Sequence, residues 1–244
     1  MKRFALIGSP VCGSLSPRLF AAAYQGKYQY DLIDAPFSDC WASFLASYDG
    51  INVTAPYKQD AFKAVDRLSP AAAACSAVNL VVKADGMLHG YNTDVDGVTG
   101  AVQECGQAVS DALIIGAGGA ARAAAYAALQ LGCSVTVANR THSKAEALAQ
   151  DFGCNAVPVT DICKLTPDLI IYTVPGGQPV LSGLTGTLLS NAVVLEAEYK
   201  HPALKDVPCR HYIHGSRWLL WQAIAGYRLF TGETPDAAAM AEIL

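Results

Sequence analysis

The chain has little charge and no excess of basic residues. Charged residues make up 16% of its 244 residues, and 17 lysines and arginines stand against 21 aspartates and glutamates, for a net charge of -4. Nucleic-acid-binding proteins present a basic face to the phosphate backbone, so this balance argues against a nucleic-acid partner. Hydrophobic residues reach 52% of the chain, so we expect a sizeable core and no extensive disorder.

Long apolar runs are missing as well. No run of about 18 apolar residues occurs, so no membrane-spanning helix is predicted. Lys2 and Arg3 are followed by a short strand-like run, which does not resemble a secretory signal peptide. We therefore predict a cytoplasmic protein that does not enter a membrane. Its length allows one large or two modest domains, and we expect a monomer or a homodimer.

Paired cysteine motifs are absent, although the chain has eight cysteines. None belongs to a C-x-x-C pair, and all are scattered through apolar stretches, where a free thiol behaves as a small hydrophobic group. Cys209, His211 and His214 lie close together in the sequence. A zinc site, however, usually needs a second ligand cluster at a defined spacing, and the sequence offers none. We therefore predict no metal.

Short apolar runs alternate with helix-forming segments along the chain. This alternation predicts an α/β fold made of two α/β domains, because strands that alternate with helices form mainly parallel sheets covered on both faces. A second, Rossmann-type series of elements begins near Ala112. We assign residues 1–100 and 216–244 to the first domain and residues 101–215 to the second, with a cleft between them. The remaining predictions are a last, apolar helix over 215–230 and loops at 176–179 and 200–208.

A glycine-rich turn follows the first strand of the second domain. Residues 112–122 read A-L-I-I-G-A-G-G-A-A-R, a buried strand that leads into a G-x-G-x-x-G/A turn and an alanine-rich helix. Gly116 allows the sharp turn, Gly118 lets the backbone approach a pyrophosphate, and Ala121 lets helix and strand pack closely. Such a turn can be purely structural, but the strand, helix, strand order around it favours a dinucleotide. The predicted contacts are Gly116, Ala117, Gly118, Gly119 and Ala120.

The next strand ends in Asn139, Arg140 and Thr141, with Lys144 shortly after. Dinucleotide-binding folds normally place an acid at this point, where it accepts from a ribose 2′-hydroxyl, whereas an arginine suits a 2′-phosphate. Arg140 alone could be a solvated charge, but its place at the end of the strand favours a phosphate contact. The sequence therefore predicts NADP rather than NAD as the cofactor.

Three polar clusters precede the cofactor unit, each at the end of an apolar run, where α/β folds place ligands. They are S-L-S-P at residues 14–17, N-V-T-A-P-Y-K at 52–58 and N-T-D at 92–94. Purely structural interpretations exist for single residues: Ser16 before a proline is typical of a helix N-cap, and Lys58 alone is typical of a solvated helix residue. Gln222 is an isolated amide among apolar residues and needs a partner if it is buried.

These motifs together resemble those of the shikimate dehydrogenase family. Members carry G-x-P-x-x-x-S-x-S-P, N-V-T-x-P-x-K, A-V-N and G-x-N-T-D-x-x-G, which occur here at residues 8–17, 52–58, 77–79 and 90–97. They also carry G-A-G-G-A-x-R, N-R-T, and a glycine followed seven residues later by a glutamine. These occur at residues 116–122 and 139–141 and as Gly215 and Gln222. The resemblance therefore spans residues 8–222, with every motif in the family's order.

The resemblance implies an oxidoreductase that reversibly reduces 3-dehydroshikimate to shikimate with NADP, in chorismate and aromatic amino-acid biosynthesis. It implies a first domain that binds the substrate and a second that binds NADP. Lys58 would be the catalytic acid/base, paired with Asp94; an ammonium can stabilise an alkoxide-like oxygen and deliver a proton. Ser14, Ser16, Thr54 and Tyr199 would hold the carboxylate side of the substrate, and Asn79, Asp94 and Gln222 its ring hydroxyls. NADP would contact the 116–120 turn, Asn139, Arg140, Thr141, Lys144 and Gly215.

Some positions depart from the family's pattern. Gly13 replaces a histidine, Leu80 replaces a threonine, and the region after Tyr199 is shortened. The methionine that usually lies near the nicotinamide is Trp218 here, and a larger ring could reshape that pocket. Two alternatives therefore stay open: a quinate/shikimate dehydrogenase with relaxed substrate or NAD use, since a pocket can fail to reject an added hydroxyl, and a noncatalytic NADP-binding sensor.

Overall fold

The computed structural model describes residues 2–175, 184 and 186–244 of the chain. Contacts divide the chain into two compact units, Met1–Thr93 with Gln222–Leu244, and Asp94–Trp221. The functional domain bounds expected from the sequence, 1–100 with 216–244 and 101–215, stay a prediction. The predicted loop at 176–179 lies outside the described residues.

The elements follow in chain order. The first unit begins with β1 (Arg3–Gly8), α1 (Ser16–Tyr24), β2 (Gln29–Asp34), α2 (Phe37–Ser47), β3 (Gly50–Val53), α3 (Lys58–Ala64), β4 (Arg67–Leu68), α4 (Pro70–Cys75), β5 (Leu80–Ala84) and β6 (Met87–Tyr91). Then follow α5 (Asp94–Glu104), β7 (Asp111–Ile115), α6 (Gly119–Gln130), β8 (Ser134–Ala138), α7 (His142–Phe152), β9 (Asn155–Val157), a 3₁₀ helix (Val159–Lys164), β10 (Leu169–Tyr172), α8 (Gly186–Ser190), β11 (Val193–Glu196) and β12 (His211–Ile213). The chain ends with α9 (Gly215–Thr231) and α10 (Ala237–Ala241).

The sheet of the first unit has the strand order β2-β1-β3-β5-β6-β4. β1 pairs in parallel with β2 and β3, and β4 pairs in parallel with β6, whereas β5 runs antiparallel to both β3 and β6. The β5–β6 hairpin turns at Asp85 and Gly86, whose φ angles of 52° and 73° form the tight turn that a two-residue hairpin requires. The part of the sheet formed by β2, β1 and β3 is parallel, and two of the polar clusters lie at or after the ends of β1 and β3.

The central strand β1 is buried on both faces, as its continuous apolar sequence predicts. On one face Ala5 and Ile7 join Phe44 of α2 in a buried cluster. On the other face Phe4 stacks on Phe230 of α9, with ring centroids 4.8 Å apart. Burying such aromatic rings supplies a large share of a core's hydrophobic stabilisation, so the first unit depends on its last long helix as well as on its own strands.

The sheet of the second unit has the order β12-β11-β10-β7-β8-β9, and all of its pairings are parallel. β7 lies between β8 and β10, so the strand order reverses at β7 and leaves a crevice at its carboxyl end, where open α/β sheets bind ligands. The alanine-rich helix α6 begins there. Six of its seven alanines are buried, and their small side chains let the helix lie close to other parts of the second unit.

The α/β fold with two parallel-dominated sheets is thus confirmed, and the buried strand and alanine-rich helix predicted around residues 112–122 form as β7 and α6. The helix predicted over 215–230 is α9, but it is not the last one, because the short helix α10 follows it. No helix in the described ranges is both long and apolar enough to span a bilayer.

Candidate active site

The polar clusters of the first unit follow the ends of the neighbouring parallel strands β1 and β3. The amide of Thr54 donates to the carbonyl of Ile7 at 2.9 Å, so the segment after β3 lies beside the segment after β1. Lys58 is the half-buried first residue of α3, and its carbonyl accepts from the amide of Val78 at 3.0 Å. This bond places the start of α3 next to Asn79, so three predicted site residues share one edge of the sheet.

Asn79 is the centre of a buried amide cluster. Its side chain is nearly inaccessible; Nδ2 donates to Thr93 Oγ1 at 3.1 Å and to Gln222 Oε1 at 3.2 Å. Its Oδ1 accepts from the amide of Thr93 at 2.8 Å. Buried amides need such partners, and Gln222, which the sequence leaves isolated among apolar neighbours, finds its partner in another predicted site residue. The structure thus brings Asn79 and Gln222 together across 143 positions.

Ser14 and Ser16 form a pair just before and at the start of α1. Ser14 Oγ donates to Ser16 Oγ at 3.1 Å and accepts from the amide of Ser16 at 3.2 Å. The expectation that Ser16 is the N-cap is wrong: α1 begins at Ser16, and its N-cap is Leu15, which makes no side-chain cap bond. The Ser14 hydroxyl takes up the amide of Ser16 instead, so the Ser16 hydroxyl does not serve as a cap.

Two polar residues near this cluster, Tyr30 and Tyr227, were missed by the sequence reasoning, and Asn52 was noted only as part of a motif. Tyr30 OH donates to Asn52 Oδ1 at 2.7 Å, and Tyr227 OH donates to the carbonyl of Ser16 at 3.0 Å. Asn52 lies inside the N-V-T motif, which is the one signal that could have identified it. Nothing in the sequence connects Tyr227 to Ser16, which lies 211 positions away.

Asp94 opens α5 in the second unit and is 8% exposed. A carboxylate in the first turn of a helix is favoured by the helix dipole, and a nearly buried one must find partners for its charge. Lys58, its predicted partner in proton transfer, belongs to the first unit. The pairing of the two residues stays a prediction.

The glycine-rich turn after β7 has the geometry of a phosphate cradle. Gly116 has a φ of 120°, which side-chain-bearing residues rarely adopt. A Cβ added to Gly118 or Gly119 would meet no atom within 4 Å, so backbone is open to approach at the N-terminus of α6. Helix N-termini bind anions through free amides and the helix dipole. These residues therefore fit a dinucleotide pyrophosphate.

The loop after β8 carries exposed basic residues. Arg140 and Lys144 are exposed, and no ion pair joins Arg140 to another residue of the described part of the chain. Asn139 Nδ2 donates to the carbonyl of Thr141 at 2.9 Å, which folds the loop back on itself. Thr141 is the N-cap of α7 but makes no side-chain cap bond. The arrangement leaves a guanidinium and a hydroxyl available for a 2′-phosphate.

Tyr199 lies in the segment that follows β11, and burial, followed by the nearby Glu198 carboxylate, raises the pKa of its hydroxyl. That segment is tied down by Glu196, a fully buried carboxylate at the end of β11. Glu196 accepts from the amides of Ala203 and Leu204 at 2.6 and 3.0 Å and from Tyr212 OH at 2.8 Å. Three hydrogen bonds to one buried carboxylate fix both ends of the Tyr199 segment.

Gly215, a predicted cofactor contact, also has a packing role. A Cβ there would lie 2.6 Å from the carbonyl oxygens of Glu196 and Ala197, so only glycine lets the start of α9 approach the end of β11. Trp218, one turn further along α9, is 6% exposed and packs on Gly97 of α5. No cluster of three or more histidine, cysteine, aspartate or glutamate side chains placed to hold a metal occurs among the described residues.

Two family models match the chain. Residues 6–81 match the shikimate dehydrogenase substrate binding domain, and residues 101–182 match shikimate/quinate 5-dehydrogenase. The chain is 34% identical to a shikimate dehydrogenase (NADP(+)) of Thermus thermophilus, with 99% of this chain and 97% of that protein covered. It is 36% identical to the shikimate dehydrogenase (NADP(+)) of Halobacterium salinarum, with 98% and 97% covered.

Solved structures agree with these sequence matches. A shikimate 5-dehydrogenase from Thermus thermophilus in complex with NADP(H) and shikimate superposes with a TM-score of 0.88 at 32% identity, with 100% of this chain and 98% of that chain covered. Quinate dehydrogenase from Corynebacterium glutamicum in complex with NAD gives a TM-score of 0.87 at 27% identity, with 99% and 98% covered.

Proposed function

We propose that this chain, which belongs to the shikimate dehydrogenase family, uses Lys58 and Asp94 as the proton-transfer pair of its reaction. The chain catalyses the reversible, NADP-dependent interconversion of 3-dehydroshikimate and shikimate, a step of aromatic amino-acid biosynthesis. The observation that carries this function is the hydrogen bond between Asn79 and Gln222. It joins two residues, distant in sequence, that are expected to hold the same substrate ring.

Lys58 holds the proton of the reaction in this proposal. When the ketone of 3-dehydroshikimate is reduced, negative charge develops on its oxygen, and an ammonium beside that oxygen both stabilises the charge and donates the proton. In the opposite direction Lys58 takes the proton from the shikimate hydroxyl. Asp94, buried at the start of α5, would orient the ammonium and keep it charged. NADP, when bound, accepts or supplies the hydride.

The remaining substrate contacts follow from the first unit. Ser14 and Ser16 offer hydroxyl protons to the substrate carboxylate, together with Thr54 and, from the second unit, the hydroxyl of Tyr199. Asn79 and Gln222 offer amide groups to the ring hydroxyls, and their mutual bond fixes the direction of both. A site built to pair substrate hydroxyls discriminates strongly against molecules that lack them, because its own polar groups are then left unpaired.

NADP is held by two features of the second unit. The open backbone at Gly118 and Gly119, at the start of α6, suits the pyrophosphate. Arg140, exposed and available, suits the 2′-phosphate that distinguishes NADP from NAD. We propose that Gly116, Ala117, Ala120, Asn139, Thr141, Lys144 and Gly215 complete the cofactor contacts. Oligomeric state and cytoplasmic location stay predictions.

The purified protein tests this function directly. The absorbance of the reduced cofactor, NADPH or NADH, is followed with shikimate or quinate as substrate and with NADP or NAD as cofactor. We expect rapid reduction with shikimate and NADP and a kcat/KM at least about tenfold lower in the other three combinations. Comparable rates with quinate or NAD would establish the broader quinate/shikimate enzyme, which the shared fold with a quinate dehydrogenase makes the second candidate. NADP binding without turnover on either substrate would establish a sensor instead.

A further inference from the structure

Tyr227 connects the long helix α9 to the serine pair. Its ring is 2% exposed, and its hydroxyl donates to the carbonyl of Ser16 at 3.0 Å. Its own carbonyl accepts from Tyr24 OH at 2.9 Å. The rings of Tyr227 and Phe20 of α1 pack edge to face, with centroids 4.7 Å apart. Tyr227 is thus fixed by ring packing and by its backbone, and its hydroxyl is aimed at the start of α1.

Tyr30 makes the corresponding connection from β2. It lies on the same sheet face as Phe4, and its hydroxyl reaches past β1 to Asn52 Oδ1 at 2.7 Å. Asn52 Nδ2 in turn donates to the carbonyl of Asn79 at 3.4 Å. The Tyr30 and Tyr227 rings lie 6.1 Å apart. Burial raises the pKa of both phenols, and hydrogen bonding with the Ser16 side chain opposes that rise in each.

The donor and acceptor roles of the two tyrosine hydroxyls can be assigned in only one way. Burial raises the pKa of both phenols above the ordinary value of about 10, so each keeps its single proton at neutral pH. Tyr30 gives its proton to an amide oxygen and Tyr227 gives its proton to a backbone carbonyl, and neither of these acceptors can donate in return. Towards the Ser16 hydroxyl, both phenol oxygens can therefore only accept.

This arrangement matters for an anionic ligand. A carboxylate only accepts hydrogen bonds, so both serine hydroxyls must turn their protons towards it. Tyr227 holds the backbone of Ser16 in place through its hydrogen bond to the Ser16 carbonyl. The neutral phenol oxygens are weaker acceptors than a charged carboxylate, so the Ser16 proton can turn from them to the ligand. Tyr30 extends the same order to Asn52 and Asn79. A hydroxyl that is already positioned loses less entropy when the ligand binds.

We propose that Tyr30 and Tyr227 are positioning residues for the substrate carboxylate: they preset the Ser14–Ser16 pair and link it through Asn52 to Asn79. The proposal rests on the proposed function, since it takes the carboxylate of shikimate as the ligand of the serines. Neither tyrosine needs to touch the substrate. Their contribution to the reaction is to the affinity for an acidic substrate, so it appears in KM for shikimate more than in kcat.

The experiment compares Tyr30→Phe, Tyr227→Phe and the double variant with the unmodified protein, and it uses two substrates. Shikimate carries the carboxylate, and its methyl ester replaces that charge with a neutral group. With shikimate, each single variant should raise KM about two- to tenfold, as expected for one lost hydrogen bond, and leave kcat within about twofold. With the methyl ester, the variants should differ from the unmodified protein by less than half of that factor. KM for NADP should not change.

Tyr28→Phe is the matched control. It removes a hydroxyl from a ring that packs on Phe4 and Phe20 of the same aromatic cluster, one that donates to Glu233 Oε1 at 2.9 Å rather than to the serine pair, Asn52 or Tyr227. We expect it to leave the KM ratio between ester and acid unchanged. An equal loss for acid and ester, or the same loss in Tyr28→Phe, would overturn the positioning role while leaving the proposed function intact. Failure of the unmodified protein to act on shikimate would instead overturn the proposed function.

Discussion

Trp218 packs on the bare backbone of Gly97. A Cβ added to Gly97 would overlap Cδ1 of the Trp218 indole and would lie 2.7 Å from the Trp218 carbonyl oxygen. One turn further along both helices, the Trp221 ring covers Gly100 in the same way. Two glycines of α5 thus make room for two tryptophans of α9, so the large ring at position 218 is accommodated by buried packing within the second unit.

Gly97→Ala should destabilise the protein by about 1–3 kcal/mol, the usual cost of overpacking a well-filled core. The added methyl must displace both the indole and the backbone of Trp218, so the double variant with Trp218→Met should recover only part of the loss. Urea unfolding measures both values. Gly186→Ala is the control, because a Cβ there meets no atom within 4 Å; similar losses in the two variants would contradict the packing argument.

Lys58→Ala should lower kcat by a factor of about 10² to 10⁴, the range for removal of a general acid or base. The serine and amide contacts remain, so the dissociation constant for shikimate should change only a few-fold. Stopped-flow turnover and calorimetric titration measure the two quantities. Lys63→Ala, in the last turn of the same helix α3, is expected to retain full activity. Near-normal turnover of the Lys58 variant would remove Lys58 from the chemistry.

Arg140→Ala should raise KM for NADP about 10- to 100-fold, because charge-assisted hydrogen bonds contribute about 1.5–3 kcal/mol. KM for NAD and for shikimate should stay nearly constant, so the preference for NADP should shrink by the same factor. Steady-state kinetics with each cofactor give the comparison. Arg67→Ala removes an exposed arginine of the first unit as a control. If NAD and NADP were weakened equally, Arg140 would not bind the 2′-phosphate.

Glu104→Gln should remove a pH-dependent part of the stability. Hydrogen bonds from Arg217, outweighing the opposing effect of burial and assisted by Trp221, lower the pKa of the Glu104 carboxyl. A lowered folded-state pKa stabilises the fold above the unfolded value of about 4.3 and loses that effect as the pH falls through the folded value.

The pair is partly exposed, so the difference at pH 7 should be about 0.5–1 kcal/mol. Unfolding of both proteins between pH 7 and pH 3 should show this difference shrinking as the acid range is reached. A difference that stays constant over that interval would mean that Glu104 acts through packing rather than through its charge.

Local signals in the sequence predict most of the fold. The apolar runs that become β1, β3, β7 and β8 are bounded by turn residues, and the glycine-rich turn is placed correctly at the start of α6. Several elements were not predicted from the sequence. The short ones have six residues or fewer and carry too few periodic positions to stand out from the surrounding loops; they are α4, β4, β9, α8, β12 and α10. The eleven-residue helix α7 and the buried strands β10 and β11 were not predicted either.

Site residues that belong to a sequence motif could be predicted. Residues that reach the site only through the packing of distant segments could not. Asn79 and Gln222 were expected from the family resemblance, and their direct bond follows from the way α9 packs in the first unit. The sequence did not predict the contacts of Tyr30, Tyr227 or the buried carboxylate of Glu196. Each of them bonds to a backbone or amide group whose position is set only by the folded chain.

The first unit is assembled from both ends of the chain, and this has a consequence for biosynthesis. Phe230, Tyr227 and Gln222 leave the ribosome only after the whole of Asp94–Trp221 has been made. Until then, Phe4 lacks its stacking partner, Ser16 lacks the tyrosine at its carbonyl, and Asn79 lacks its amide partner. The second unit can fold during synthesis as one continuous segment, as domains generally do. The part of the chain translated first is therefore completed last, and the substrate side is assembled only after α9 has been made.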